Sequence, residues 1–591
     1  MKKSITAVIL VLLLFVITLP SCNDIDDGST VSIPENSNVF SIPSEDGTVG
    51  DLVIIDSDGN SVNVETSLNT ETGLIDINLP ALTQGDSFTI QKSGQADTYV
   101  AVTSADNTSP QLISGNIANG AQDVEVNLPV DLSFSKVMDG SSINGTTVVL
   151  KEIKYNRTVP VRFIYNYDRI IVIPRMKLQQ NLEYKLAVNG IKDITGQLLS
   201  FEVNYKNRDL DYGLYFFGKY GECEKYFPGI QNAFYNDSKP TMIYAHGWQA
   251  NAVTKSDYYG RSFYGYEQFF WEEDDFKGQT KYNGLRQFTN HSWIDKGWNT
   301  GFVYWQQFAD EPALAQGNVG GVHDAEAKIW SFQGYKGSRY RVVDSSGSAY
   351  YKNWDCRLNF NGDVVTVDSV GRLLSLYVNN ALKNNVSGNI RFVGHSLGNQ
   401  VVNNLMKYAF DAGITVNRIA LLDPAWTSGD KNYLPNDGYG KWVGERCRNF
   451  IFESKNRNSN LAVEIYHTTG MNIGIAGLAV DTNDALTNAA ADFNAAPWYY
   501  SSTQLDGKHN SIRNSYIWSF EFQPPAEVTI SWWKRSATGK MGPSASTPDW
   551  RMREMMGPKY EWTQVEGRYT PSPSDDQWER KSKDTSWFSL W

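Results

Sequence analysis

The string Gly394-His395-Ser396-Leu397-Gly398 is where this sequence is best equipped for chemistry. It follows the apolar run Ile390-Arg391-Phe392-Val393 and precedes Val401, Val402, Leu405, Met406, Ala409 and Phe410, which fall on one helical face. Glycine-x-serine-x-glycine between a strand and a helix predicts a sharp turn that stands the serine hydroxyl clear of both, at the positive helix N-terminus. A serine hydroxyl is a poor nucleophile at neutral pH, so it needs a base to take its proton and an acid to fix that base's tautomer. Asp423 ends the apolar run Ile419-Ala420-Leu421-Leu422, where a strand end on the same sheet edge would set it beside Ser396. Of the six histidines, His246, His291, His323, His395, His467 and His509, the chain order nucleophile, acid, base leaves two. His467 ends the strand candidate at 462–466, whereas His509 sits in a polar stretch read as a loop before Tyr516-Ile517-Trp518; these residues alone leave both open. An oxyanion needs two amides. One follows the nucleophile, on Leu397, and the other comes from a loop after an early strand, which His246-Gly247-Trp248 after Thr241 to Ala245 supplies.

The elements that must position these groups begin near residue 210. Short apolar runs at 241–245, 301–305, 390–393, 419–422 and 463–466 alternate with helical spacing such as Val367, Val370, Leu374, Tyr377, Val378 and Ala381. That alternation predicts a mostly parallel sheet covered by helices over 210–591, ending in a tail with no clear period. The segment from Gly470 to Gly507 combines an apolar load with Gly470, Gly474 and Gly477, so it reads either as buried packing or as a hinged lid. Upstream the period is two. Residues 48–105 predict a small all-β module, and Val124, Val126, Leu128, Val130, Leu132 and Phe134 alternate as one half-buried sandwich strand. With Phe134-Ser135-Lys136-Val137-Met138-Asp139, residues 106–205 resemble the bacterial Ig-like domains of surface proteins, which implies a spacer or binder.

A length of 591 residues exceeds one domain, and 53 Lys plus Arg against 65 Asp plus Glu leave a formal charge of −12, which excludes nucleic acid as an expected partner. At the N-terminus, Lys2 and Lys3 precede an apolar stretch from Ala7 to Leu19, long enough for a signal peptide and short of a membrane span. Its end, Leu19-Pro20-Ser21-Cys22, resembles the bacterial lipoprotein cleavage box. The expectation is a signal peptide over 1–21, lipidation at Cys22, a polar tether over 22–47, and anchoring in the bacterial cell envelope, on the outer membrane. Cys223, Cys356 and Cys447 remain, so one disulfide is the most they can form. No zinc spacing occurs, and neither metal nor cofactor is expected.

Taken in order, Ile243-Tyr244-Ala245-His246-Gly247-Trp248, Val303-Tyr304-Trp305, Val393-Gly394-His395-Ser396-Leu397-Gly398, Leu422-Asp423-Pro424-Ala425 and Val463-Glu464-Ile465-Tyr466-His467-Thr468 resemble the pancreatic lipase family over about 215–520. The resemblance implies an α/β-hydrolase fold and a serine carboxylic-ester hydrolase acting on lipid acyl esters. It places the acid on Asp423 and the first oxyanion amide on Trp248. Because the family's base precedes an Arg and a Tyr, it moves the base to His509, ahead of Arg513 and Tyr516, and gives His467 a packing role. The sequence departs from the family in having no cysteine after Cys447 and a long insertion, 429–460, where the family binds calcium, so no metal residue is carried over. Two other readings stay open: an esterase that removes acyl groups from glycans, and a noncatalytic adhesin on a hydrolase scaffold.

Overall fold

The computed structural model describes residues 30–44, 47–70, 72–254, 267–272, 285–312, 320–334, 336–344, 346–468, 483–531 and 534–583. The expected signal peptide, Cys22 and the hinge glycines Gly470, Gly474 and Gly477 lie outside them. No described helix is long and apolar enough to cross a membrane.

The N-terminal region is all-β. Folding starts earlier than the expected tether boundary at residue 47. Thr30–Pro34 pairs in parallel with Thr98–Thr103, and Val39–Pro43 pairs antiparallel with Leu74–Asn78. Polar neighbours mask the period in sequence, yet Ile33, Phe40 and Ile42 bury their side chains with Ile75, Ile77 and Ile90. In the next module a four-stranded and a five-stranded sheet enclose one core, in which Val130, Leu132, Phe134, Leu150, Tyr184 and Leu186 meet. The single alternating strand expected over 124–134 is two strands, Ala121–Val124 and Val130–Phe134. Between them Asn127 takes a left-handed φ of 63°. Its side chain locks the turn by donating to Met176 O (2.7 Å) and accepting from Leu178 N–H (2.8 Å).

The C-terminal region is built on a 12-stranded mixed sheet with helices. In chain order its strands are β1 (Gly213–Phe217), β2 (Cys223–Lys225), β3 (Thr241–Ala245), β4 (Asn299–Tyr304), β5 (Ile390–His395), β6 (Arg418–Leu422), β7 (Ala462–Thr468), β8 (Ala491–Ala495), β9 (Ala526–Ser531), β10 (Lys534–Met541), β11 (Tyr560–Glu566) and β12 (Gln577–Ser582). The spatial order is β2-β1-β4-β3-β5-β6-β7-β8-β11-β12-β9-β10, and the run from β4 to β11 is parallel. Every residue of β3 to β7 is buried, as befits strands covered on both faces. Helices α1 (Val370–Leu382), α2 (Gly398–Asp411) and α3 (Val443–Arg457) share one core with the sheet, while α4 (Leu505–Trp518) packs in a second core with the C-terminal segments.

One expectation fails here. The tail expected to lack structure supplies β9 to β12 and the helix Asp549–Met555. Its period is hidden because polar groups take part in its core: buried Glu527 accepts from Arg551 (2.7 Å) and from Trp562 Nε1 (2.7 Å). Of the two readings of 470–507, buried packing holds for its later part, since β8 lies between β7 and β11 with Leu486, Ala491 and Phe493 buried. No disulfide forms among Cys223, Cys356 and Cys447, all of which are free thiols.

Candidate active site

Parallel strands end on one edge of a sheet, and here the register levels those ends. Ala245 of β3 faces Gly394 of β5, His395 faces Leu422 of β6, and Leu422 faces Tyr466 of β7. The residues that follow these positions, His246 after β3, Ser396 after β5, Asp423 after β6 and, two along on β7, Thr468, are thereby gathered at one edge. Ser396 takes φ 55° and Asp423 φ 44°, left-handed conformations that cost a non-glycine residue free energy. The strain at Ser396 is held from several sides. Its N–H donates to Leu422 O (3.0 Å), and buried Asn399 reaches back from α2 to donate to both Ser396 O (2.8 Å) and Leu422 O (3.0 Å).

The two glycines of the turn are needed for space. A Cβ on Gly394 would come within 2.7 Å of the α2 backbone, and one on Gly398 within 2.1 Å of Ala245 O, so α2 starts hard against the end of β3. Gly247 is equally confined, since its Cβ would sit 2.6 Å from Ser396 Cβ and 3.1 Å from Oγ. The peptides on either side of the serine are therefore in contact with it. Among the described residues, the main-chain N–H groups of Trp248 and Leu397 meet no hydrogen-bond acceptor.

Of the two histidines left open, the structure brings His509 to Asp423 and His467 elsewhere. His509 Nδ1 donates to Asp423 Oδ2 (2.7 Å), which leaves its Nε2 without a proton in the neutral ring. Asp423 is fixed in turn, because Thr468 N–H donates to Oδ1 (3.1 Å) and the Thr468 hydroxyl to Oδ2. His467 points to the other neighbour, with its Nε2 3.3 Å from Asp492 of β8. His509 lies on α4, where a loop was expected; the helix buries Lys508, Ser511 and Asn514, and polar residues on a buried face hide the period.

His395 bridges the Ser396 turn to α4. Its Nε2–H donates to His509 O (2.9 Å), and the two rings lie 4.4 Å apart. Burial, reinforced by His509 and Arg513, holds the His395 imidazole well below its usual range, so it adds no charge beside His509. His246 is likewise kept neutral by burial; it stacks on Trp305 at 5.3 Å and donates from Nδ1 to Gly247 O (2.9 Å).

Thr468, Asn399 and Glu311 are positioning residues that sequence reasoning missed. Glu311 O accepts from Trp248 Nε1 (2.6 Å) and so anchors the loop after β3, while its buried carboxylate is held by Lys328 (2.6 Å), Arg339 and Tyr351. Thr468 was within reach as the residue after His467 in the strand. Nothing in the sequence around Glu311 marks its role. Among the described residues no cluster of His, Cys, Asp and Glu is placed to hold a metal ion.

Residues 106–206 match the bacterial Ig-like domain family. That agrees with the sandwich expected from alternation. No lipase or α/β-hydrolase family model matches the chain, and no characterised protein sequence matches it. Similar solved structures include an LD transpeptidase in complex with imipenem, at 16% identity over 18% of this chain and 43% of that one, with a TM-score of 0.14. The S-layer protein SbsC is similar at 11% identity over 19% of this chain and 16% of that one, with a TM-score of 0.15. The N-terminal Ig1-2 module of a Drosophila receptor protein tyrosine phosphatase is similar at 13% identity over 31% of this chain and 97% of that module, with a TM-score of 0.13. The chain thus spans less than half the length of the transpeptidase and of the S-layer protein.

Proposed function

We propose that residues 210–583 are an α/β-hydrolase domain that cleaves carboxylic esters through an acyl-enzyme on Ser396. The observation that carries the reading is the His509–Asp423 pair, held on the same sheet edge as a serine in a left-handed strand-to-helix turn. In the first half-reaction Ser396 Oγ bonds to the ester carbonyl carbon while its proton passes to His509 Nε2, and the carbonyl oxygen becomes an oxyanion facing the free N–H groups of Trp248 and Leu397. The C–O bond to the leaving alcohol then breaks, and His509 returns the proton to that oxygen. In the second half, His509 takes a proton from water, the hydroxide adds to the acyl carbon, the bond from that carbon to Ser396 Oγ breaks as His509 gives the proton to Oγ, and the acid leaves. Asp423 stabilises the imidazolium at each stage and holds the tautomer. No cofactor is needed for these steps.

The resemblance to pancreatic lipases favours lipid acyl esters as substrate, and the N-terminal segment favours attachment to a bacterial envelope membrane through lipidated Cys22, with the Ig-like domain as spacer. Purified protein assayed against p-nitrophenyl esters of graded chain length, emulsified triglyceride and acetylated xylan tests the hydrolase reading and divides the substrates. Hydrolysis of none of them would overturn it in favour of a noncatalytic binder. A Cys22→Ser variant that stays in the membrane fraction would overturn the anchor.

A further inference from the structure

Past Thr468 the sheet edge continues to the end of β8, and there the chain presents aromatic side chains to solvent. Trp498 is 42% exposed and Tyr569 57% exposed, with their rings 5.5 Å apart and nearly perpendicular. The Arg568 guanidinium lies 3.9 Å over the Trp498 ring. Main-chain bonds pin this cluster, because the N–H groups of Trp498 (2.7 Å) and Tyr499 (3.1 Å) both donate to Arg568 O. Among the described residues Arg568 makes no ion pair, and its buried Nε has no acceptor. Beside the cluster, Pro497, Tyr499, Ser515, Gln564, Ser572 and Asp576 line a cleft of about 40 Å³. That is room for two or three groups the size of a water or a hydroxyl, and too little for a ring. Three strand-to-strand steps of about 4.8 Å separate β5 from β8, so the cluster stands on the order of 15 Å from Ser396.

Each part narrows the ligand. An acyl chain laid here would cover the Arg568 guanidinium without pairing it, which is costly. A sugar ring has an apolar C–H face to lie on an aromatic side chain and a rim of hydroxyls for a small polar cleft. A carboxylate on that ring matches the planar fork of an arginine that no acid neutralises. We propose that Trp498, Arg568 and Tyr569 form a subsite for a uronic-acid residue of a glycan whose acyl group, two or three sugars away, is presented to Ser396. Burial raises the Asp576 carboxyl well above the usual carboxylate range, which removes a charge that would oppose a carboxylate nearby. The inference rests on the ester-hydrolase reading for the use of the site and deepens it by naming a substrate class.

The test uses the full chain carrying Ser396→Ala, titrated calorimetrically with a galacturonate oligosaccharide, a neutral xylo-oligosaccharide and phosphatidylcholine vesicles. The galacturonate oligosaccharide should bind at least tenfold more tightly than the neutral one. Trp498→Ala and Arg568→Gln should each weaken it at least tenfold, and Arg568→Lys should restore only part, because lysine keeps the charge without the fork. Tyr569→Ala provides a second exposed aromatic position should Trp498→Ala lower the melting temperature. Equal affinity for the two glycans, indifference to Arg568→Gln, absence of glycan binding, or vesicle binding that depends on Trp498 would each overturn the proposal. Hydrolysis of p-nitrophenyl acetate by the wild type separates the two readings: binding without hydrolysis sinks the hydrolase and leaves a glycan subsite, whereas hydrolysis without binding sinks the subsite alone.

Discussion

Three side chains and two peptides carry the proposed reaction, and their replacement is expected to produce different signatures. Ser396→Ala should fold with an unchanged melting temperature and lose ester turnover by several orders of magnitude; retention of a tenth of wild-type turnover would show that another nucleophile acts. His509→Ala should match that loss, and the Ser396 and His509 double variant should be no slower than either single one, because members of one triad act as a unit. His467→Ala should lower the melting temperature with turnover largely kept, since His467 pairs with Asp492 instead of Asp423. Gly247→Ala is a sharper probe of the oxyanion loop. The added methyl would overlap Ser396 Cβ at 2.6 Å, and neither backbone can retreat with α2 already pressed on β3. The expected result is a fall in kcat of about a hundredfold or more, the scale of losing one oxyanion donor, with a smaller effect on KM for a soluble ester.

Among the elements, the C-terminal strands deserve the first mutation. Trp562 of β11 is buried against Phe493 of β8 and donates its Nε1 proton to Glu527 of β9. Trp562→Ala should cost about 3–5 kcal/mol and leave Glu527 short of a donor, and thermal denaturation will measure it. A loss below 1 kcal/mol would mean that these strands merely decorate the sheet. The same region shows where the sequence was legible. β3, β5, β6 and β7 read directly because a strand covered on both faces is a mainly apolar run, broken in β5 and β7 only by Arg391 and Glu464 before the last apolar residue. For the same reason Asp423, directly after such a run, and Ser396, three residues after one, are legible in the sequence. β11 and β12 did not read, because their buried side chains include Gln564 and Trp578 among charges, and α4 did not because its inner face holds Ser511 and Asn514. The choice of His509 over His467 was also beyond pattern alone: it depends on which neighbouring strand each ring faces.

At the scale of the molecule, the Ig-like domain is fastened to the C-terminal domain by buried charge. Lys225 of β2 donates to Glu125 (3.0 Å) in the turn after Ala121–Val124 and to Asp211 (3.1 Å) in the connecting segment, where Lys177 also pairs with Asp211 (2.8 Å). Arg162 grips Glu224 with two bonds, 2.8 and 2.9 Å. Burial alone would raise Asp211 and Glu125, but Lys177 and Lys225 for the first, and Lys225 and Arg208 for the second, hold both below their ordinary values of 3.8 and 4.5. A carboxylate with a lowered folded pKa stabilises the fold fully above the ordinary value and loses that contribution as pH falls through the folded one. Calorimetry should therefore show the two domains melting together at neutral pH and drifting apart below about pH 4. Lys225→Met, which takes one of two cationic partners from each carboxylate, should split the transition at pH 7 at a cost of about 1.5–3 kcal/mol, the scale of a hydrogen bond to a charged group; a single unshifted transition in that variant would mean that the domains are coupled by other means.

The insertion of β11 between β8 and β12 also sets a timetable for synthesis. The ribosome finishes everything the N-terminal modules need by residue 207, whereas β8 must wait until 560–566 for its partner. Through that interval a row of unsatisfied peptide groups stands open on β8 with Phe493 uncovered beside it, an edge prone to pair with a second chain. A nascent chain stalled or cut short of residue 560 would thus carry completed β-modules joined to an adhesive, unfinished sheet.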